Sequence, residues 1–109
     1  MIVRSEEAEE RVADENTKLK IYIKGQSKNI SLALGEVRGF HGTFLNRKSE
    51  RVYFILSGSG SISIEGRKFS VSQEDCVLVP VNSKHSIEGE MRYLVIDSPP
   101  FDPKDEIKC

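Results

Sequence analysis

From Leu19 onward, apolar and polar residues alternate in short runs. Leu19 to Ile23 (LKIYI) alternates at period two and is broken by Gly25 and Ser27. Ile30, Leu32 and Leu34 share one parity in ISLALGEV, and TFL, VYFIL, SISIEG, KFSV, CVLVP and RYLVID follow. These runs are rich in β-branched and aromatic residues and are punctuated by Gly, Ser, Asn and Pro, the chemistry of strands and turns. Turn signals recur about every ten residues, and no segment after Asn16 carries helical periodicity. The pattern predicts an all-β sandwich or barrel, because many short antiparallel strands must close on themselves or hide their edges.

The first residues break this pattern. Ser5 to Asn16 holds six acidic side chains and one Arg and has no apolar face. Residues 1–18 are therefore read as an acidic, partly disordered arm, and 19–109 as the barrel, with SPPFDP as a rigid strap across it. The 109 residues, 38% hydrophobic, suffice for one domain with one modest core. Sixteen basic and 17 acidic residues leave a net charge of −1, which argues against nucleic acid and a membrane surface as partners. The N-terminus is acidic where a secretion signal is basic and then apolar, and no apolar run is long enough to span a membrane, so a cytoplasmic location is expected. Cys76 sits in an apolar strand pattern and Cys109 is the last residue, which reads as a buried thiol and a tail thiol rather than a disulfide framework.

Arg51 to Ile87 (RVYFILSGSGSISIEGRKFSVSQEDCVLVPVNSKHSI) resembles the barrel region of the small single-domain cupins, over residues 30–97. SGSG (Ser57 to Gly60) stands at the turn of the first cupin motif, EDCVLVPVNSKH (Glu74 to His85) matches the second, and Pro80 and His85 fall where that motif has them. VIDSPPFDP is similar to the tail of a subgroup of these short cupins. The resemblance implies a double-stranded β-helix, a cupin jelly-roll barrel with a ligand pocket at one mouth. It also implies a metal site made of two His and a Glu from the first motif and a His from the second. Counted back from Gly58, the two His positions fall on Phe44 and Asn46 and the Glu position on Arg51, leaving His85 alone. Two motif glycines are replaced by Glu74 and Asn82; Asn tolerates a left-handed turn, while Glu74 fits less well.

These substitutions change the expected chemistry. Phe44 has no donor atom and Arg51 is a permanent cation, so neither a metal nor another cofactor is expected at this register. A one-residue shift would turn Glu50 inward, and a non-standard metal trio of His41, Glu50 and His85 is the alternative. If the register holds, Arg51 points into the barrel with Tyr53 and Ile55. It then either pairs with an acid at the mouth or, with Asn46, Tyr53 and His85, forms a pocket for a small polar or anionic ligand of sugar or carboxylate type. His85 is the candidate general acid or base in such a pocket. Three functions stay open: metal-free binding of a small molecule with catalysis not assured, a sugar isomerase or epimerase type of enzyme or a non-standard metalloenzyme, and a structural or regulatory module with a vestigial pocket. Val52, Phe54 and Leu56 give VYFIL an apolar second face, and a homodimer is expected.

Overall fold

Strand pairing follows the period-two pattern. The computed structural model describes residues 1–109 and contains eight strands: β1 (Glu9–Asp14), β2 (Thr17–Ile23), β3 (Ser31–Asn46), β4 (Glu50–Ile64), β5 (Arg67–Ser72), β6 (Cys76–Val79), β7 (His85–Ser98) and β8 (Glu106–Lys108). They pair antiparallel in the order β1-β2-β3-β7-β4-β5, with β6 added to β4 and β8 to β3. This is the all-β architecture that the pattern predicts, in the jelly-roll form that the cupin resemblance implies. No helix is long and apolar enough to cross a membrane.

Three long strands, β3, β4 and β7, carry the barrel, and the first two each join runs that the sequence pattern separates. ISLALGEV and TFL are one strand, β3, whose pairing with β7 shifts between Phe40 and Thr43. VYFIL and SISIEG are likewise continuous in β4. SGSG is therefore not a turn: it lies within β4, beside a bulge between Ile55 and Ser57. A bulge bends a strand without ending it, so β4 pairs with β6 at Arg51–Phe54 and with β5 at Ser59–Ile64, against β7 along its other edge.

The acidic segment also differs from its reading as a partly disordered arm. Glu9 to Asp14 pairs with β2 as β1, and a short 3-10 turn at Ser5–Glu7 precedes it. The pairing is made by backbone groups, which the absence of an apolar face does not forbid.

Inward positions of β4 are Arg51, Tyr53 and Ile55, all buried, while Val52, Phe54 and Leu56 on the other face are half-buried. The interior is filled by Val37, Tyr53, Ile55, Ile62, Val71, Val79, Ile87, Met91 and Tyr93. On β6 the alternation puts Val79 inside and leaves Cys76 exposed, against its reading as a buried thiol; Cys109 is exposed as well. Glu74 and Asn82, at the positions of the motif glycines, take the left-handed conformation (φ 69° and 63°).

Candidate functional site

Arg51 lies at the centre of one barrel mouth, and cross-strand pairing supplies its first partner. It stands opposite Asp97 of β7, and the two form a bidentate pair, Nε to Oδ1 and an Nη to Oδ2, both at 2.8 Å. Glu106 of β8 accepts from both Nη atoms at 3.1 and 3.3 Å. The remaining Nη hydrogen points at His85 Nε2, 3.0 Å away. A guanidinium has five N–H donors, and all are used within the protein. The Phe101 ring covers the group, 5.8 Å from its carbon. Burial opposes the charge, but Tyr53, Asp97 and Glu106 outweigh it and hold the Arg51 pKa well above its ordinary value.

This network fixes the other expected site residues. Because Arg51 donates to Nε2 of His85, the ring's proton is on Nδ1, which donates to the Ser83 carbonyl at 3.0 Å. Burial, reinforced by the Arg51 charge, holds the His85 pKa below 6.5. Both ring nitrogens are engaged, so in this arrangement His85 has no atom free for acid–base work on a ligand. Asn46 donates to Glu106 at 3.0 Å, and its Oδ1 accepts the backbone N–H groups of Lys48 and Ser49. Tyr53 packs edge-on against Tyr93 and 6.2 Å from the His85 ring; burial pushes its hydroxyl pKa up, with Arg51 opposing. The structure thus brings Asn46, Arg51, Tyr53 and His85 together, as a polar plug rather than an open pocket.

The plug does not fit the metal that the cupin fold implies. Phe44 lies opposite His85 across β3 and β7 and offers no donor, the one nitrogen of His85 facing the mouth is taken by Arg51, and a second cation beside Arg51 would be repelled. The alternative trio is not assembled: no three His, Cys, Asp or Glu side chains are grouped to hold an ion. Glu50 is exposed, and the His41 ring turns to Asp14, Nδ1 to Oδ2 at 2.5 Å.

Asp97, Glu106 and Asp14 are the residues that sequence reasoning missed. Asp97 was accessible in principle, since Tyr93, Val95 and Asp97 share a parity that ends at the level of Arg51. Glu106 depends on the path of the strap, held by Ser49 Oγ to the Pro99 carbonyl (2.6 Å) and by β8 on β3. Asp14 depends on the β1–β2 turn. Two surface grooves, about 260 and 450 Å³, are lined by Glu36, Arg38, Ser57 and Glu90 and by Arg11, Lys18, Lys20 and Leu34 among others, and include no residue of the plug.

This topology and its solved neighbours define a cupin-fold β-barrel. Streptomyces Pac13 bound to uridine superposes with a TM-score of 0.92 at 22% identity, over 100% of this chain and 89% of that one; Pac13 is described as a nucleoside dehydratase. KdgF from Halomonas gives 0.81 at 16% identity, over 95% and 97% of the two chains. Oxalate decarboxylase of Lactobacillus farciminis, in a formate complex, gives 0.81 at 18%, over 94% of this chain and 34% of that one. In sequence, an uncharacterised protein of Methanocaldococcus jannaschii is 31% identical over 61 residues, 52% of this chain and 49% of the relative, so the match spans about half of that protein. No family model matches the chain.

Proposed function

We propose that the barrel mouth binds a small neutral polar ligand of sugar or nucleoside type, with no metal taking part. The observation that carries this reading is the saturation of Arg51. Two carboxylates on one guanidinium leave a formal excess of negative charge and no free N–H. The guanidinium that would have welcomed an anion is already neutralised, so the carboxylate class of ligand is set aside. Hydroxyl-rich neutral ligands match the remaining groups, an amide hydrogen of Asn46 and the aromatic walls of Tyr53 and Phe101. Uridine in the Pac13 barrel is a ligand of this class.

Calorimetric titration tests the reading. Uridine and neutral sugars are expected to bind at least tenfold more tightly than their phosphates or small carboxylates, about 1.4 kcal/mol or more of discrimination. The reverse order would sink it.

The working unit is read as a homodimer joined through the outer face of β4, β6 and β7. Support comes from apolar side chains on a sheet face that no other layer covers, with Leu78 55% exposed.

A further inference from the structure

We propose that Asp14 and His41 form a proton-transfer site on the hairpin side of the barrel, acting on a hydroxyl or an acidic C–H of the bound ligand. The ligand class rests on the neutral-ligand reading; the reactivity of the pair does not.

The pair is built by two elements that meet. Asp14 ends β1, where the turn into β2 folds back, and His41 lies in the bulge of β3 between Phe40 and Thr43. Asn16 ties them together. Its N–H donates to Asp14 Oδ1 at 2.8 Å, its side-chain amide donates to the Phe40 carbonyl at 3.1 Å, and its own carbonyl accepts from Arg38 N at 2.8 Å. The Asp14 carboxylate is thus held on the imidazole from both sides of the turn. Burial raises the Asp14 pKa, but hydrogen bonds from His41 and Asn16, with the Thr17 side chain close by, outweigh it and hold the group below its ordinary value.

An ionised carboxylate on Nδ1 fixes the proton there and leaves the Nε2 lone pair outward. The ring packs on Phe44 with centroids 5.1 Å apart, and its side chain is 20% exposed. No group of the protein bonds Nε2. Of the two histidines, His85 has both nitrogens consumed, so His41 alone has a ring nitrogen that no protein group engages.

A second observation points to a ligand at the same place. The Thr17 hydroxyl is the one buried side-chain polar atom with no partner at hydrogen-bond distance. Thr17 is 1% exposed and is the cross-strand partner of Asp14. A buried hydroxyl left unpaired costs free energy that a ligand's polar group or a water would recover. Tyr93 of β7 lies within electrostatic reach of the pair: burial and Tyr53 push its hydroxyl pKa up, and the Asp14 charge adds to this.

In the step itself, the Nε2 lone pair takes the proton from the ligand's O–H or C–H. The bonding pair stays on that oxygen or carbon, and the new imidazolium is stabilised by Asp14. Return of the proton from Nε2 to another ligand atom restores the neutral ring.

The test has two arms. In the first, diethyl pyrocarbonate modification is followed by peptide mass spectrometry, and nitrogen-15 NMR reports the tautomers. His41 is expected to be a single Nδ1–H tautomer, modified at least tenfold faster than His85. Asp14→Ala should give mixed tautomers and slow the reaction several-fold. In the second arm, every neutral ligand that binds by calorimetry is incubated in deuterated water and followed for deuterium uptake or product. His41→Asn keeps a donor toward Asp14 but removes Nε2, and should lose at least a hundredfold in rate while still binding. Binding without exchange or product for every bound ligand overturns the proposal and spares the neutral-ligand reading. If nothing binds, that reading fails, and the first arm decides. Mixed tautomers in the parent, or equal modification of both histidines, overturns the proposal.

Discussion

Arg51 occupies the place where the cupin resemblance puts a carboxylate ligand, and its surroundings are rebuilt to suit a cation. Side chains of Arg51 and Asp97 are 7% and 3% exposed, so the pair is out of water and weakly screened. A buried ion pair adds little over apolar packing, but removing one partner strands the other. Arg51→Met is accordingly expected to cost about 3–5 kcal/mol, and chemical denaturation measures it. Adding Asp97→Leu should recover part of that loss; a double variant weaker than the single one by the full cost of a second independent mutation would refute the network. His85 gives the mouth its pH response. Its folded pKa lies below 6.5, so as pH falls the unfolded chain takes up the proton first. Its contribution to stability is complete above about pH 6.5 and is lost below it, with a slope of at most about 1.4 kcal/mol per pH unit. Melting temperature should therefore fall from pH 7 to pH 5.5, and less steeply in His85→Gln; parallel profiles would refute the assignment. The inward set of Arg51, Tyr53 and Ile55 was legible from parity in the sequence. The saturation of Arg51 was not, because its carboxylates come from 46 and 55 residues away.

At the scale of elements, turn chemistry was the poorest guide. SGSG has the composition of a turn, yet its glycines serve a bulged, continuous strand, because the close approach of β7 needs them. Gly58 has φ +87°, and a Cβ there would sit 2.1 Å from the Glu90 carbonyl oxygen. Gly66, in the β4–β5 turn, has φ +80° but open space around its missing Cβ. The two separate conformational strain from collision. Gly66→Ala should cost about 1 kcal/mol, for the left-handed conformation alone. Gly58→Ala adds the displacement of a paired backbone and should cost at least about 3 kcal/mol, near the upper end for a single strained position. Thermal denaturation of the two variants checks the order, and equal losses would mean that β7 yields freely. The acidic N-terminus carries a related lesson. Its composition argues for disorder, but a strand at a sheet edge needs only backbone partners on one side, and β2 provides them. Composition sees side chains, whereas edge pairing is made by the main chain.

For the whole molecule, the outward face of the barrel decides whether it works alone. Cross-strand pairing lines up apolar residues in two rows on that face. Leu78, Val52, Ile96 and Leu32 run across β6, β4, β7 and β3, and Phe54, Leu94 and Leu34 run beside them. Seven apolar side chains on one sheet face exceed what a strand needs when its outside meets only water. The rows are contiguous and sit on paired strands rather than on loops, which suits an isologous contact between two identical faces. The face of VYFIL was already apolar in the sequence; its continuation onto β6 and β7 needed the register. Size-exclusion chromatography with light scattering at high micromolar concentration is expected to give twice the chain mass. Leu78→Glu or Phe54→Glu, which places like charges face to face across the axis, should give the single-chain mass with the circular dichroism spectrum unchanged. A monomeric parent would leave the apolar rows without the second copy assigned to them, whereas a dimer that survives both substitutions would move the interface to another face.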